Sequence, residues 1–430
     1  MAREMKDSGV AWIGEIPAEW GMGKIGFFAD FYNGDRTSRY PQPSEFVDSG
    51  VPFINSTNIN GDYLDTTDCK YITHEKYNSL SGAKLKTGDI VFCLRGSVGK
   101  CALNRHLTEG TVASSLATIR PTGIDEKYLL YCLLSDIADK QTDLSMNGTC
   151  AANLSAENVS KYVLPVPSRI EQHRIADFLD AECARIDAVI EKTRASIEEY
   201  KKLKQSVITE AVTKGVRPGR KMKSSGIEWV PQLPENWQTM PSKYLFRNSD
   251  ERKRDDDVML TASQKYGIIS QQDYMELEGA KVVLANKGLE DWKHVEPFDF
   301  VISLRSFQGG LEMSETVGCI TWHYIVLKPC RAVFSRYYKW LFKSEPYIRA
   351  LQRTCSFIRD GQDIRYSNFV QVSLFEPPID EQREIAEYLD EKTASIEKII
   401  AKKENFVEEI MSYKKSLIFE YVTGKKEVNE

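Results

Sequence analysis

Two stretches of about 40 residues run without Pro or Gly and place apolar side chains at seven- and four-residue steps. In the first, Ile175, Leu179, Ile186, Val189, Ile190, Ile197, Tyr200, Leu203 and Val207 fall on one stripe. In the second the stripe is Ile385, Leu389, Ile396, Ile399, Ile400, Phe406, Val407, Ile410, Tyr413 and Leu417. This spacing predicts two amphipathic helices, each about 60 Å long at 1.5 Å per residue. A lone helix of that length cannot bury its stripe, so the two are expected to pack on each other. The first helix carries the chain away to another globular segment, and the second can lie beside it only by running back. An antiparallel pair follows, related by an approximate twofold.

The helices belong to a larger duplication. Pro167 through Gly215, with Glu171-Gln172, Ile175-Ala176 and Leu179-Asp180, returns ungapped at Pro377 through Lys425 as Glu381-Gln382, Ile385-Ala386 and Leu389-Asp390. A second pattern, Met5 to Trp20 with Trp12 and Pro17, returns at Met222 to Trp237 with Trp229 and Pro234. The expected segments are therefore 1–166 (globular), 167–215 (helical), 216–376 (globular) and 377–430 (helical).

The globular segments mix helix and strand signals. A turn leads into a β-rich run at Asp89 to Arg95, and Asp299 to Arg305 repeats it at the offset of the helices. Tyr128–Asp139 and Tyr337–Leu351 are expected as short helices. The copies diverge most over Gly34–Asp68 and Asn248–Ala285. The fold class is thus α+β: two α/β domains alternating with two long helices that pair as an antiparallel coiled coil.

Composition adds little to this picture. The 42% hydrophobic and 28% charged residues are those of a globular protein, and no run approaches the roughly 20 apolar residues of a membrane span. With a polar stretch at Met1–Val10 in place of a signal sequence, a cytoplasmic location is expected. Nine scattered cysteines without CxxC spacing point to reduced thiols and no metal site. Charge is informative only by segment. Residues 1–166 carry 16 Lys+Arg against 20 Asp+Glu, whereas 216–376 carry 23 against 20 and form the basic part of the chain.

Enzymatic motifs fail on inspection. Gly96-Ser-Val-Gly99-Lys100-Cys101 has two residues between its glycines where a phosphate loop has four, and it lacks the Ser/Thr that holds magnesium. Glu376-Pro377-Pro378-Ile379 lacks the aromatic residue of an amino-methyltransferase motif and is better explained as a proline-marked helix entry. None of the five histidines pairs at ligand spacing, and His173 is replaced by Arg383 in the second copy. No nucleophile, base or carboxylate constellation recurs in both copies, so a noncatalytic protein is expected.

The paired openers Trp12–Trp20 and Trp229–Trp237 and the Pro-x-x-x-Glu-Gln-x-x-Ile-Ala-x-aromatic-Leu-Asp signatures at Pro167–Asp180 and Pro377–Asp390 resemble the specificity subunits of Type I restriction-modification enzymes. The resemblance covers essentially the whole chain. It implies two variable target-recognition domains separated by helical spacers, no catalytic centre and no cofactor bound by this chain. It also implies double-stranded DNA as ligand, two methyltransferase subunits using S-adenosylmethionine, and two translocating nuclease subunits using ATP and Mg.

Sequence is read from base edges in the major groove while phosphate contacts position the protein, so polar and basic residues of the divergent segments become candidates. In the first domain these are Arg36, Thr37, Arg39, Asn55, Ser56, Thr57, Asn58, Arg95, Asn147 and Thr149. In the second they are Arg252, Lys253, Arg254, Ser263, Gln264, Lys265, Tyr266, Arg305, Gln308, Arg359 and Gln362. Gln172 and Gln382, near the helix starts, are expected to be exposed and to face the methyltransferases. The competing expectation is a coiled-coil scaffold whose globular parts bind protein or sugar without DNA.

Overall fold

The computed structural model describes residues 3–146, 154–279, 288–303, 306–355 and 364–428. It divides into two units, one made of Met1–Arg194 with Asn405–Glu430, the other of Ala195–Glu404. The long helices run over Arg169–Lys214 and Ile379–Val422, so each unit owns one half of each helix.

In the first unit a four-stranded antiparallel sheet has the order Ala29–Asn33, Leu116–Pro121, Ile90–Cys93, Cys101–Leu103. Ile90 to Cys93 is wholly buried, with Phe92 and Ile90 against Tyr128, Leu129 and Trp20 in one core. The other face, through Val91 and Cys93, covers a smaller core shared with Val51–Ile54 and Lys70–Ile72. A strand buried on both faces reads as a continuous apolar run, which is why it is legible in the sequence.

The second unit has a sheet of the same order: Phe246–Ser249, Ile325–Pro329, Phe300–Ile302, Glu312–Met313. Its outer layer differs. Two short ribbons, Leu260–Ser263 with Gly267–Ser270 and Lys293–Val295 with Gly318–Ile320, replace the second sheet. The first of these ribbons falls in the segment whose sequence diverges between the copies, Asn248–Ala285.

Each unit opens with a β-ribbon, Met5–Asp7 on Glu15–Pro17 and Met222–Ile227 on Val230–Pro234. A further pair, Gly21–Lys24 with Val163–Val166 or Gln238–Pro241 with Ser373–Glu376, feeds directly into a long helix. Ser168 starts the first helix, its hydroxyl accepting from Glu171 N. Gly215 and Gly424 end the two helices at φ +74° and +69°. A side chain at Gly424 would collide with Pro17 and Trp20, so only glycine fits there.

Two expectations are corrected. The helices predicted over Tyr128–Asp139 and Tyr337–Leu351 are each two helices, Glu126–Leu134 with Asp136–Met146 and Ser335–Lys343 with Glu345–Arg353. Ser135 and Ser344 break them in extended conformation, their hydroxyls satisfying the carbonyls of Cys132 and Leu341 at 2.7 Å. The apolar stripes are also only partly core, since Val189, Leu203, Ile399, Phe406 and Tyr413 are exposed. A neighbouring helix covers a seam narrower than the stripe that a 3.6-residue period draws.

Within each unit the helix segments lie side by side with opposite sequence order. In the first, Phe178 packs on Tyr421 with ring centroids 4.4 Å apart, and Asp187 pairs with Lys414 at 2.8 Å. In the second, Lys204 pairs with Glu397 and Lys403 lies over the Tyr200 ring. Among the described residues no helix is long and apolar enough to cross a membrane.

Candidate nucleic-acid interface and the joints that carry it

The two repeated motifs bind each other. In the first unit Trp20 Nε1 donates to Glu171 Oε2 at 2.8 Å, and Arg3 donates to Glu171 Oε1 at 2.6 Å. In the second, Trp237 Nε1 donates to Glu381 Oε2 at 2.8 Å, and Arg220 to the same carboxylate at 2.6 Å. Burial works against ionisation of Glu381, yet donors from Trp237, Asn236 and Arg220 hold its carboxyl below the ordinary range.

The neighbouring glutamines complete the joint. Gln172 Oε1 accepts from Asp125 N at 2.8 Å while its Nε2 donates to Pro167 O at 2.9 Å. Gln382 does the same with Phe334 N and Pro377 O, both at 2.8 Å. Both side chains are buried, which corrects the expectation that Gln172 and Gln382 are exposed to a partner. A carboxamide carries donor and acceptor at one end, and both are consumed inside the unit.

Two turns further, Asp180 accepts from Tyr131 OH at 2.7 Å and pairs with Lys127 at 2.8 Å. Asp390 accepts from Trp340 Nε1 at 2.9 Å and faces Arg336 at 4.0 Å. Burial opposes the Asp180 charge, and Lys127, Tyr63 and Tyr131 outweigh it, lowering the carboxyl below its usual range. Finally Tyr128 OH donates to Val422 O and Tyr337 OH to Val212 O, fixing each globular part to the end of a long helix. Sequence reasoning missed these joints; the signal was that both motifs duplicate together.

The divergent segments instead present exposed polar groups. In the first unit Arg36, Thr37 and Arg39 are exposed on a turn held by Asp35, which accepts from Thr37 N at 2.7 Å and Ser81 N at 2.7 Å. Although buried, Asp35 is held well below the usual carboxylate range by these donors. Arg36 Nε reaches Ser114 O at 3.3 Å, Ala113 N donates to Ile54 O at 2.8 Å, and Leu94 N donates to Ser115 O at 2.9 Å. The loop Ala113–Ser115 thus gathers Arg36, the Asn55–Thr57 turn and the exposed Arg95. Ser114 and Ser115, half-buried at its centre, were not anticipated, because a short Ala-Ser-Ser linker carries no distinctive pattern.

Asn58 is a correction. It is buried, accepting Asn55 N at 3.0 Å and donating to Asp65 O at 2.9 Å, so it shapes the turn and is not free for a base edge. Asn55 and Ser56 are half-buried and Thr57 is exposed, with Asn55 Oδ1 accepting Thr57 N at 2.8 Å.

In the second unit the candidates form two groups. Arg252, Lys253 and Arg254 are exposed on one loop. Arg252 pairs with Asp291 at 3.0 Å and Arg254 with Glu251 at 2.6 Å. Buried His294 holds this loop, with Nδ1 2.9 Å from Asp257 and Nε2 3.3 Å from Glu296. The other group is the ribbon turn, where half-buried Ser263 accepts Lys265 N at 3.2 Å and Tyr266 N at 3.3 Å. Tyr266 and Glu278 push the Lys265 ammonium up to about 12. Exposed Gln264 lies over Gly309, beside exposed Gln308. Asn147, Thr149, Arg305, Arg359 and Gln362 lie outside the described residues.

Among the described residues no group of His, Cys, Asp and Glu has the arrangement of a metal site. A family model described as "Type I restriction modification DNA specificity domain" matches residues 17–199. The specificity subunit of the type I restriction enzyme MjaVIII of Methanocaldococcus jannaschii is 24% identical over 212 residues, 48% of this chain and 48% of that one. The EcoKI specificity subunit of Escherichia coli K12 is 21% identical over 409 residues, 91% of this chain and 86% of that one. A solved structure of the type I R-M system, concerned with its assembly and conformational transition, superposes with a TM-score of 0.68 at 16% identity, covering 96% of this chain and 99% of that chain. Residues 17–199 thus carry a type I restriction-modification DNA specificity domain, and similarity to type I specificity subunits runs over most of the chain.

Proposed function

We propose that this chain is a noncatalytic, sequence-specific DNA-binding subunit that reads a bipartite, asymmetric target with an unread spacer. Residues 1–166 would read one half-site and 216–376 the other. The spacers 167–215 and 377–430 would pair as an antiparallel coiled coil about a pseudo-twofold and act as a ruler. It would direct adenine methylation by two S-adenosylmethionine-dependent modification subunits, and cleavage by two ATP- and Mg-dependent translocating subunits.

The observation that carries this reading is the division of labour between repeated and divergent residues. Repeated ones are buried in the joints, whereas divergent ones present Arg36, Thr57 and Lys253 to solvent. Two unlike exposed polar surfaces on like supports suit two unequal half-sites. Specific contacts from such side chains are each worth roughly 1–3 kcal/mol of base discrimination.

Methylation mapping tests it. Four residues inserted in one long helix add about 6 Å, one to two base pairs at roughly 3.4 Å each, and should lengthen the unread gap with both half-sites kept. Replacing 216–376 with another domain should change one half-site. Altered half-sites in the first experiment, or two changed half-sites in the second, overturn the reading.

A further inference from the structure

The segment between Asn58 and Asp65 is a closed strap. Asp65 N donates to Asn58 O at 2.9 Å, Asn58 Nδ2 returns to Asp65 O at 2.9 Å, and Ile59 bridges Leu64. Its tip carries Asp62 and Tyr63, and both long helices grip it. Lys414, on the second helix, sits 3.2 Å from Asp62 and 2.8 Å from Asp187 of the first. Tyr63 OH donates to Asp180 at 2.6 Å, under the Arg105 guanidinium, which itself pairs with Asp180 at 3.2 Å.

The other end of the strap is the Asn55–Asn58 turn, whose form is set by Asn58 Oδ1 accepting Asn55 N. One short, internally bonded segment therefore runs from the helix pair to a candidate reading turn. Lys414 is mostly buried, where an ion pair is less screened than at the surface.

The second unit supplies the comparison. Its Lys204, Glu397 and Asp390 occupy, at the 210-residue offset, the places of Lys414, Asp187 and Asp180. Lys204 and Glu397 form the same cross-helix pair. There, however, these three residues line an open cleft of about 1060 Å³ facing Gln264–Ser270 and Gln308. The chemistry that the strap engages is present in both copies, and among the described residues only the first copy has a strap.

We propose that the strap is a positioning device: Asp62 and Tyr63 transmit the placement of the two long helices to the Asn55–Asn58 turn, so that discrimination at the first half-site depends on the helix pair. This rests on the reading of that turn as a DNA contact. Recognition groups must be held within about 0.5 Å to discriminate, and a turn on a divergent surface segment needs an anchor outside itself. Asp62 and Tyr63 are positioning residues and touch no base.

The test compares D62N combined with Y63F against K204M in the full chain, in whatever assembly it co-purifies with. K204M removes the same kind of cross-helix ion pair without touching a strap, whereas D62N leaves Lys414 paired with Asp187. Amide hydrogen exchange over 55–58 and selection from randomised duplex DNA are the readouts. A mismatched base ordinarily costs roughly 1–3 kcal/mol, about 5- to 150-fold. The double variant should speed exchange at 55–58 and lose about tenfold discrimination at one half-site only, with K204M changing neither. Unchanged exchange in the double variant overturns the positioning role. Faster exchange with unchanged base preference overturns the assignment of the turn as a reading element. Absence of any sequence preference in the unaltered chain overturns the functional reading itself.

Discussion

Trp237 and Glu381, 144 residues apart, are joined by a 2.8 Å hydrogen bond from the indole Nε1 to a carboxylate that is itself buried. Removing Glu381 leaves the Trp237 N–H without its acceptor and the Arg220 charge without its carboxylate. E381A should therefore destabilise the second unit by about 3 kcal/mol, and W237F, which loses one neutral donor, by about 1 to 2. Urea unfolding read by limited proteolysis, which separates cuts in the two units, checks both values.

The same carboxylate gives an acid signature. Its folded-state pKa is depressed, so its contribution is present above the unfolded value and fades as pH falls through the folded one. The melting temperature of the second unit should fall as the pH drops below the ordinary glutamate value of 4.5, more steeply than in E381Q, whose amide cannot titrate. Equal slopes for the two proteins would remove Glu381 from the acid response.

Gln172 and Gln382 behave as buried struts. Q172L and Q382L each strand a backbone N–H and a carbonyl, at a cost of about 1–3 kcal/mol apiece. Thermal unfolding should register the loss for each variant. A partner-binding defect without any loss of stability would contradict their placement.

Charge at the proposed interface has its own test. Arg36, Arg95 and Lys253 are exposed, and each one that meets a phosphate should, when changed to Ala, reduce the slope of log affinity against log salt by about 0.9. Asn58→Ala should act through stability, since that side chain is buried with both ends bonded inside the turn. Filter binding across a salt series distinguishes the two behaviours.

Much of the frame was legible because periodicity and repetition are local properties of a chain. The 3.6-residue stripe marks both long helices, and the apolar run at Ile90–Cys93 marks a strand buried on both faces. What stayed hidden depends on where the folded chain brings each side chain's partners. Gln172 reads as a polar surface residue until Asp125 N and Pro167 O are brought to it, and Asn58 reads as a base reader until Asp65 closes on it. Val189 and Phe406 satisfy the stripe yet stay exposed, because a period cannot say how wide the neighbouring helix is. Ser135 and Ser344 break predicted helices through a hydroxyl that competes with the backbone, an outcome that composition alone does not decide.

Lys204 and Lys414 each meet an acid across the helices, but among the described residues only Lys414 also takes a carboxylate from a surface segment. Among the described residues the second copy thus keeps a mooring that no such segment uses. A transplanted Asn58–Asp65 segment would find there a lysine, an aspartate and room to lie down, so that grafting recognition surfaces between the copies becomes a matter of matching one short hairpin to an attachment already built.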